Sequence, residues 1–244
     1  MWRVEVACSI GEEEIVLARF TAFDLAAADT GEGWAKAWFA NHDEARRCAG
    51  ELNGQICAEP IHNWNENWQS EWKPQAIGRR LWLTPPWDES EAPAGRIRLN
   101  MHPGTLFGNG DHPTTQLCME ALEEHITPGC TVIDVGCGSG LLIEAARLLG
   151  SDRAIGCDLD PAAAKTAPCA FQGSVDALAS GCADIVIANI QLGVLETLMP
   201  ELNRVLRPSS GILILSGILE EQISGVPRQP RKITTRDGWA CLVV

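Results

Sequence analysis

Residues 134–140 read Asp-Val-Gly-Cys-Gly-Ser-Gly, with three glycines at every second position directly ahead of a helical stretch. Glycines so spaced let a backbone turn sharply and approach a ligand closely. The N-terminus of the following helix then offers N–H groups and a partial positive charge to an anionic group. The spacing is GxGxG; a dinucleotide fingerprint would carry its third glycine at position 141, where this chain has leucine, which argues against a nicotinamide dinucleotide. The next apolar stretch ends in Asp158, where a carboxylate can accept both hydroxyls of a ribose. Many glycines after strands are merely turns, but Gly136, Gly138, Gly140 and Asp158 together point to a nucleoside-bearing cofactor. Asp111 and His112 are adjacent donors without a third at helical or turn spacing, so no metal is expected there.

Elements of one kind must position these groups. From Thr131 onward the chain alternates apolar runs with helical stretches: TVIDVG, a helix over Leu141–Leu149, RAIGCDLD, then CAFQGS, ADIVIANI and GILILSG. Continuous apolar runs are what strands covered on both faces look like, and the alternation implies a doubly wound α/β domain with a parallel sheet. RKITT, Asp237-Gly238 and WACLVV read as an antiparallel hairpin closed by a tight turn. Ahead of this, WRVEVAC, GWAKAWFA and GQICAEPI read as strands, while 12–23 and 43–52 have helical spacing, giving a small α+β, ferredoxin-like unit of the split βαβ kind. The expected domains are 1–62, a Trp- and Pro-rich linker over 63–100 whose prolines should break regular elements, and 101–244. Trp64, Trp68 and Trp72 share one helical stripe, suited either to packing or to receiving a peptide.

The segments PGTLFGNGDHPTTQLC, VIDVGCGSG, GCDLDP, ADIVIANI and LSGIL, with the linker ENWQSEWKPQAIGRRLWLTPPW, resemble the ribosomal protein L11 methyltransferase family over residues 64–220. The lysine methyltransferase of the electron-transfer flavoprotein β subunit is similar too. The resemblance implies a Rossmann-like class I methyltransferase sheet, S-adenosyl-L-methionine as cofactor and transfer of methyl groups to amino groups of ribosomal protein L11. It places Thr115 beside the cofactor, Gly136 under the methionine portion, Asp158 on the ribose and Asn189 at the reacting methyl. Each position also has a purely local reading. Thr114 or Thr115 can cap the helix opened by Pro113, Asn189 can end its strand in a turn, and Asp134 can support the loop or hold an ammonium through water. Ser174 and Asp176 either reach the adenine or belong to an ordinary loop.

Methyl transfer from a sulfonium is an in-line displacement, so the protein aligns and desolvates the nucleophile and needs no covalent intermediate. A lysine amine, with an ordinary pKa of about 10.4, must be held neutral by burial or hand its proton to water. Asn189 can accept from that amine through its side-chain oxygen. The net charge of −13 disfavours nucleic acid and anionic lipid and suits a basic partner. Residues 1–62 hold 11 acids against 5 bases, which makes an RNA methyltransferase less attractive and suits a unit that helps hold ribosomal protein L11 or another protein substrate. The start lacks a secretory pattern, no run is long enough to span a bilayer, and the ten cysteines include no CxxC, so a reduced, cytoplasmic, monomeric enzyme is expected. Asn109 and Gln191 depart from the family, which usually has threonine and an apolar residue there. The segment between Asp160 and Ala183 is too short for the full crossover helix and strand, and the stretch after LSGIL is similarly trimmed. These deletions keep open the reading of a cofactor-binding but inactive interaction protein, and a small-molecule methyltransferase is a third reading, favoured only if residues 1–62 form a lid over a closed pocket.

Overall fold

Alternation places Val4, Val6, Ala35, Ala37 and Phe39 on one face of a small sheet, where they bury against Phe20, Phe23, Ala45 and Cys48. The computed structural model describes all residues except 10, 11, 21, 24, 26, 59–71 and 102–109, and the chain divides into two units, Met1–Glu71 and Trp72–Val244. The first unit runs β1 (Trp2–Ala7), α1 (Glu13–Phe20), β2 (Ala27–Gly31), β3 (Trp34–Phe39), α2 (His42–Leu52) and β4 (Gln55–Ala58). Its strands lie in the order β2-β3-β1-β4, all neighbours antiparallel, which is the ferredoxin-like arrangement. Asn41 caps α2 by accepting from the Asp43 N–H at 2.8 Å, and Asn53 ends it in the left-handed conformation. Strand β2 was not legible in the sequence, because AADTG lacks the apolar alternation of a half-buried strand. It forms as the second arm of a hairpin with β3.

The second unit begins with three short strands, β5 (Gln75–Ile77), β6 (Leu81–Thr84) and β7 (Ile97–Asn100), in that spatial order. The proline-rich linker expected here therefore contains a small sheet. Pro74, Pro85, Pro86 and Pro93 all fall outside its strands, so none removes a ladder donor. Of the tryptophan stripe, Trp64 and Trp68 lie outside the described residues, as does Asn109.

The chain continues through α3 (Pro113–His125), β8 (Thr131–Val135), α4 (Leu141–Leu149), β9 (Arg153–Asp158), α5 (Pro161–Thr166), β10 (Ala170–Gln172), β11 (Ile185–Asn189), α6 (Leu192–Val205), β12 (Ile212–Leu219), β13 (Lys232–Arg236) and β14 (Trp239–Val243). The seven-stranded sheet has the order β10-β9-β8-β11-β12-β14-β13, parallel except where β14 pairs with β12 and β13. The order reverses between β8 and β11, the switch point at which ligands lie in open α/β sheets. Both central strands are buried along most of their length, as continuous apolar runs require. Asp237 and Gly238 both adopt positive φ, as a two-residue hairpin turn demands. The shortened crossover survives in reduced form. Asp160 caps α5 by accepting from Ala162 N–H at 2.8 Å, and Pro168 stops the chain from continuing as helix ahead of the three-residue β10.

Candidate functional site

At the carboxyl ends of β8, β9, β11 and β12 lies a crevice of about 690 Å³ whose lining includes Gly136, Gly138, Asp158, Ser174 and Asn189. Gly136 adopts φ 74°, and a Cβ there would lie 2.7 Å from the Ile190 side chain, so the loop needs glycine to pass beneath the crevice. Gly140, also at positive φ, does not line the crevice; it opens α4 and packs so closely that a Cβ would meet Pro168 at 2.6 Å. The amides of the loop ahead of the helix are already engaged. Gly136 and Cys137 donate to the Cys157 carbonyl at 2.8 and 3.2 Å, Gly138 donates to Asp158 Oδ2 at 2.8 Å, and Gly140 donates to the Cys137 carbonyl at 2.8 Å. The loop therefore shapes a close-approach surface and spends three of these donors on β9 and one on its own turn. Asp158 Oδ1 accepts from Asp160 N–H at 2.9 Å, which fixes the carboxylate while each oxygen keeps a further lone pair.

Behind Gly136 sits a second, small cavity of about 20 Å³, lined among others by Thr115, Asp134 and Asn189. Asn189 donates through Nδ2 to Thr115 Oγ1 at 3.4 Å. Its Oδ1 and both Asp134 oxygens are buried without a hydrogen-bond partner among the described residues. Burial, and secondarily the charge of Asp158, pushes the Asp134 carboxyl up to about 7. Orphaned acceptors of this kind are costly unless a ligand or water completes them. The Cys137 and Cys157 thiols are pushed up to about 12, chiefly by burial, so neither supplies a thiolate nucleophile at neutral pH. The capping alternative for the threonines is also settled. His112 is the N-cap of α3, its Nδ1 accepting from Thr114 N–H at 3.3 Å, which leaves Thr115 to meet Asn189.

A family model described as Ribosomal protein L11 methyltransferase (PrmA) matches residues 23–244. The chain belongs to the ribosomal protein L11 methyltransferase family. It is 40% identical over 194 residues to the ribosomal protein L11 methyltransferase of Azotobacter vinelandii, covering 72% of this chain and 66% of that protein. To the one from Dechloromonas aromatica it is 40% identical over 196 residues, covering 74% and 65%. The chain thus spans just under two thirds of the length of these relatives. Among solved structures, the ribosomal protein L11 methylase of Lactobacillus delbrueckii subsp. bulgaricus is similar at 27% identity and a TM-score of 0.64, covering 70% of this chain and 97% of that one. The second unit accordingly has the class I methyltransferase fold.

Within this family framework, the crevice has walls that sequence reasoning missed. Trp239 lines it and meets the His112 ring edge-on, with centroids 4.9 Å apart. Nothing in the sequence marks this tryptophan. It reaches the crevice because β14 runs antiparallel to β12, so its first residue lies at the carboxyl ends of the parallel strands. Leu159 and Val194 also line the crevice and are 75% and 47% exposed, leaving an apolar mouth beside Gln191 at the start of α6. Ser174 is part of the lining, whereas Asp176 is exposed on a 3-10 turn and is not. Among the described residues, no group of three His, Cys, Asp or Glu side chains is placed to hold a metal ion.

Proposed function

We propose that the chain is an S-adenosylmethionine-dependent protein N-methyltransferase that modifies amino groups of ribosomal protein L11. The observation that carries this reading is one buried amide oxygen, Asn189 Oδ1, without a partner among the described residues, on a residue that lines a crevice also presenting Asp158 and the glycine turn. The residues present suit the cofactor. Asp158 offers lone pairs to a ribose, Gly136 admits close contact, and the Asp134 carboxylate is the buried anion nearest the switch point. The small cavity is large enough for one water, with Asp134, Thr115 and Asn189 as its polar partners, so Asp134 can act on an ammonium through that water.

The cofactor, when bound, supplies an electrophilic methyl group on a sulfonium. The chain's own residues do the rest. Thr115 fixes the rotation of the Asn189 amide by accepting from Nδ2, so that Oδ1 remains to accept from an incoming amine. Trp239, Leu159 and Val194 give the mouth an apolar lining that strips water from an amine seated in it, which favours the neutral amine over its ammonium. The acidic first unit complements a basic protein partner. In this reading the enzyme works as a monomer in the cytoplasm, without nucleic acid or membrane, and size-exclusion chromatography checks the first of these.

Purified protein incubated with labelled S-adenosylmethionine and unmethylated ribosomal protein L11 is expected to label the protein. Cofactor binding without any transfer would eliminate this substrate. Asp158→Ala is expected to weaken S-adenosylhomocysteine binding in calorimetry by about 1.5–3 kcal/mol for each charge-assisted bond lost. It also removes the acceptor for Gly138 N–H, so part of that loss reflects the loop itself. An unchanged affinity would remove the ribose role.

A further inference from the structure

The wall of the crevice that continues from Asp158 is made by Gly173 and Ser174, and the segment that follows is anchored by the buried Val175 side chain but by few hydrogen bonds of its own backbone. Strand β10 ends at Gln172, Gly173 N–H donates to the Asp158 carbonyl at 2.9 Å, and beyond that the backbone makes only local turns, Ala177 to Ser174 and Leu178 to Val175. Among the described residues, the protein hydrogen bonds tying 174–180 to the rest of the chain come from one side chain. Arg204, in the last turn of α6, donates from Nη1 to the Leu178 carbonyl at 2.8 Å and Ser180 Oγ at 3.1 Å, and from Nη2 to the Val175 and Asp176 carbonyls at 3.3 Å each. Its Nε donates to Glu201 Oε2 at 2.6 Å, so all five guanidinium donors are engaged. Its own carbonyl also accepts from Gly181 N–H at 3.0 Å.

We propose that Arg204 is a positioning residue for the cofactor, holding the Gly173–Ser174 wall at the distance from Asp158 that an adenosine group requires. The proposal rests on the reading of the crevice as an S-adenosylmethionine site. The physical reason is the shortened crossover. With α5 reduced to six residues and β10 to three, sheet pairing ends at Gln172; beyond it the buried Val175 side chain packs in the core, and the carbonyls around it are held by a planar fork that bridges several of them. Lysine, a point charge with three donors on one nitrogen, cannot span the Val175 and Leu178 carbonyls together. Arg204 touches neither the donor nor the acceptor amine, so its loss should act on cofactor affinity and leave the chemical step alone.

The test compares wild type with Arg204→Lys, which keeps charge and stem and is expected to fold. S-adenosylhomocysteine affinity by calorimetry should fall by about tenfold, and the KM for S-adenosylmethionine should rise in parallel. The kcat at saturating cofactor and the KM for the protein acceptor should stay within about twofold, the split that separates ground-state binding from transition-state effects. Amide hydrogen exchange over 173–180 should quicken in the variant, and in wild type it should slow when S-adenosylhomocysteine binds. Unchanged affinity in Arg204→Lys, a fall in kcat at constant affinity, or no protection of 173–180 in wild type each overturns the assignment of Arg204. Failure of wild type to bind S-adenosylhomocysteine at all overturns the reading of the crevice itself, so the two failures are distinguishable.

Discussion

Asn189→Ala lowers methyl transfer to ribosomal protein L11 by about 10²–10³-fold, the usual cost of removing one preorganised polar group at a reacting centre, with S-adenosylhomocysteine affinity nearly intact. The expectation follows from what the side chain does in the fold. Its amide nitrogen is bonded to Thr115 and its buried oxygen has no hydrogen-bond partner among the described residues, so a residue that lines the crevice keeps a lone pair in fixed orientation, without cost of reorganisation at the moment of reaction. Thr115→Val should produce a smaller loss of the same kind, because the amide would remain but lose its rotational anchor. Single-turnover rates and calorimetry on the same preparations check both. A variant that lost cofactor affinity and kept its single-turnover rate would show that Asn189 binds the cofactor and does not receive the amine.

Asp134→Asn has a large effect on stability, and its size depends on pH. The folded carboxyl lies at about 7, above its ordinary value of 3.8, because burial disfavours the charged form. Below about pH 4 the group is protonated in both states and costs nothing. Between there and 7 the unfolded chain ionises while the folded one does not, so stability falls as pH rises and levels off above 7. At roughly 1.36 kcal/mol per pKa unit the full loss is about 4 kcal/mol. Asparagine does not ionise, so the variant without cofactor should be more stable than wild type at pH 8 by a few kcal/mol, with the gap closing towards pH 4. Urea denaturation at a series of pH values measures this directly, and parallel stability curves for the two proteins would refute it. The same substitution should weaken S-adenosylhomocysteine binding at pH 8 by about tenfold, or roughly 1.4 kcal/mol, since a buried anion that acts on the bound ammonium through water is lost. A residue that destabilises the free fold and strengthens ligand binding is what a site under functional constraint looks like.

How much could be read in advance depended on whether a contact was local. The loop from Gly136 to Gly140 and the acid at Asp158 were legible because a strand, a tight turn and a helix in succession leave their mark within a few residues. The roles of Thr114 and Thr115 were ambiguous because a threonine after Pro113 looks like a cap whichever way its hydroxyl points. Only His112, whose ring takes the capping bond, resolved them. The sequence marked the helix N-terminus as a source of donors but said nothing of the amides of Gly136, Cys137 and Gly138 in the loop ahead of it. In the fold, Cys157 and Asp158 from the neighbouring strand accept from all three. Strand β2 and the sheet over β5–β7 escaped notice since segments of three to five residues have too few positions to show a period.

The sequence by itself determined the alternation of strand and helix, the parallel centre of the sheet, the antiparallel hairpin and the two strand ends that carry Gly136 and Asp158, because periodicity and turn chemistry are properties of neighbouring residues. Tertiary structure alone decided which distant residues share a site. Asn189 meets Thr115 across 74 residues, Trp239 reaches His112 from the last strand, and Arg204 on a helix orders the wall beside Asp158. Those meetings depend on strand order and on the direction in which each strand crosses the sheet, and no local pattern encodes either.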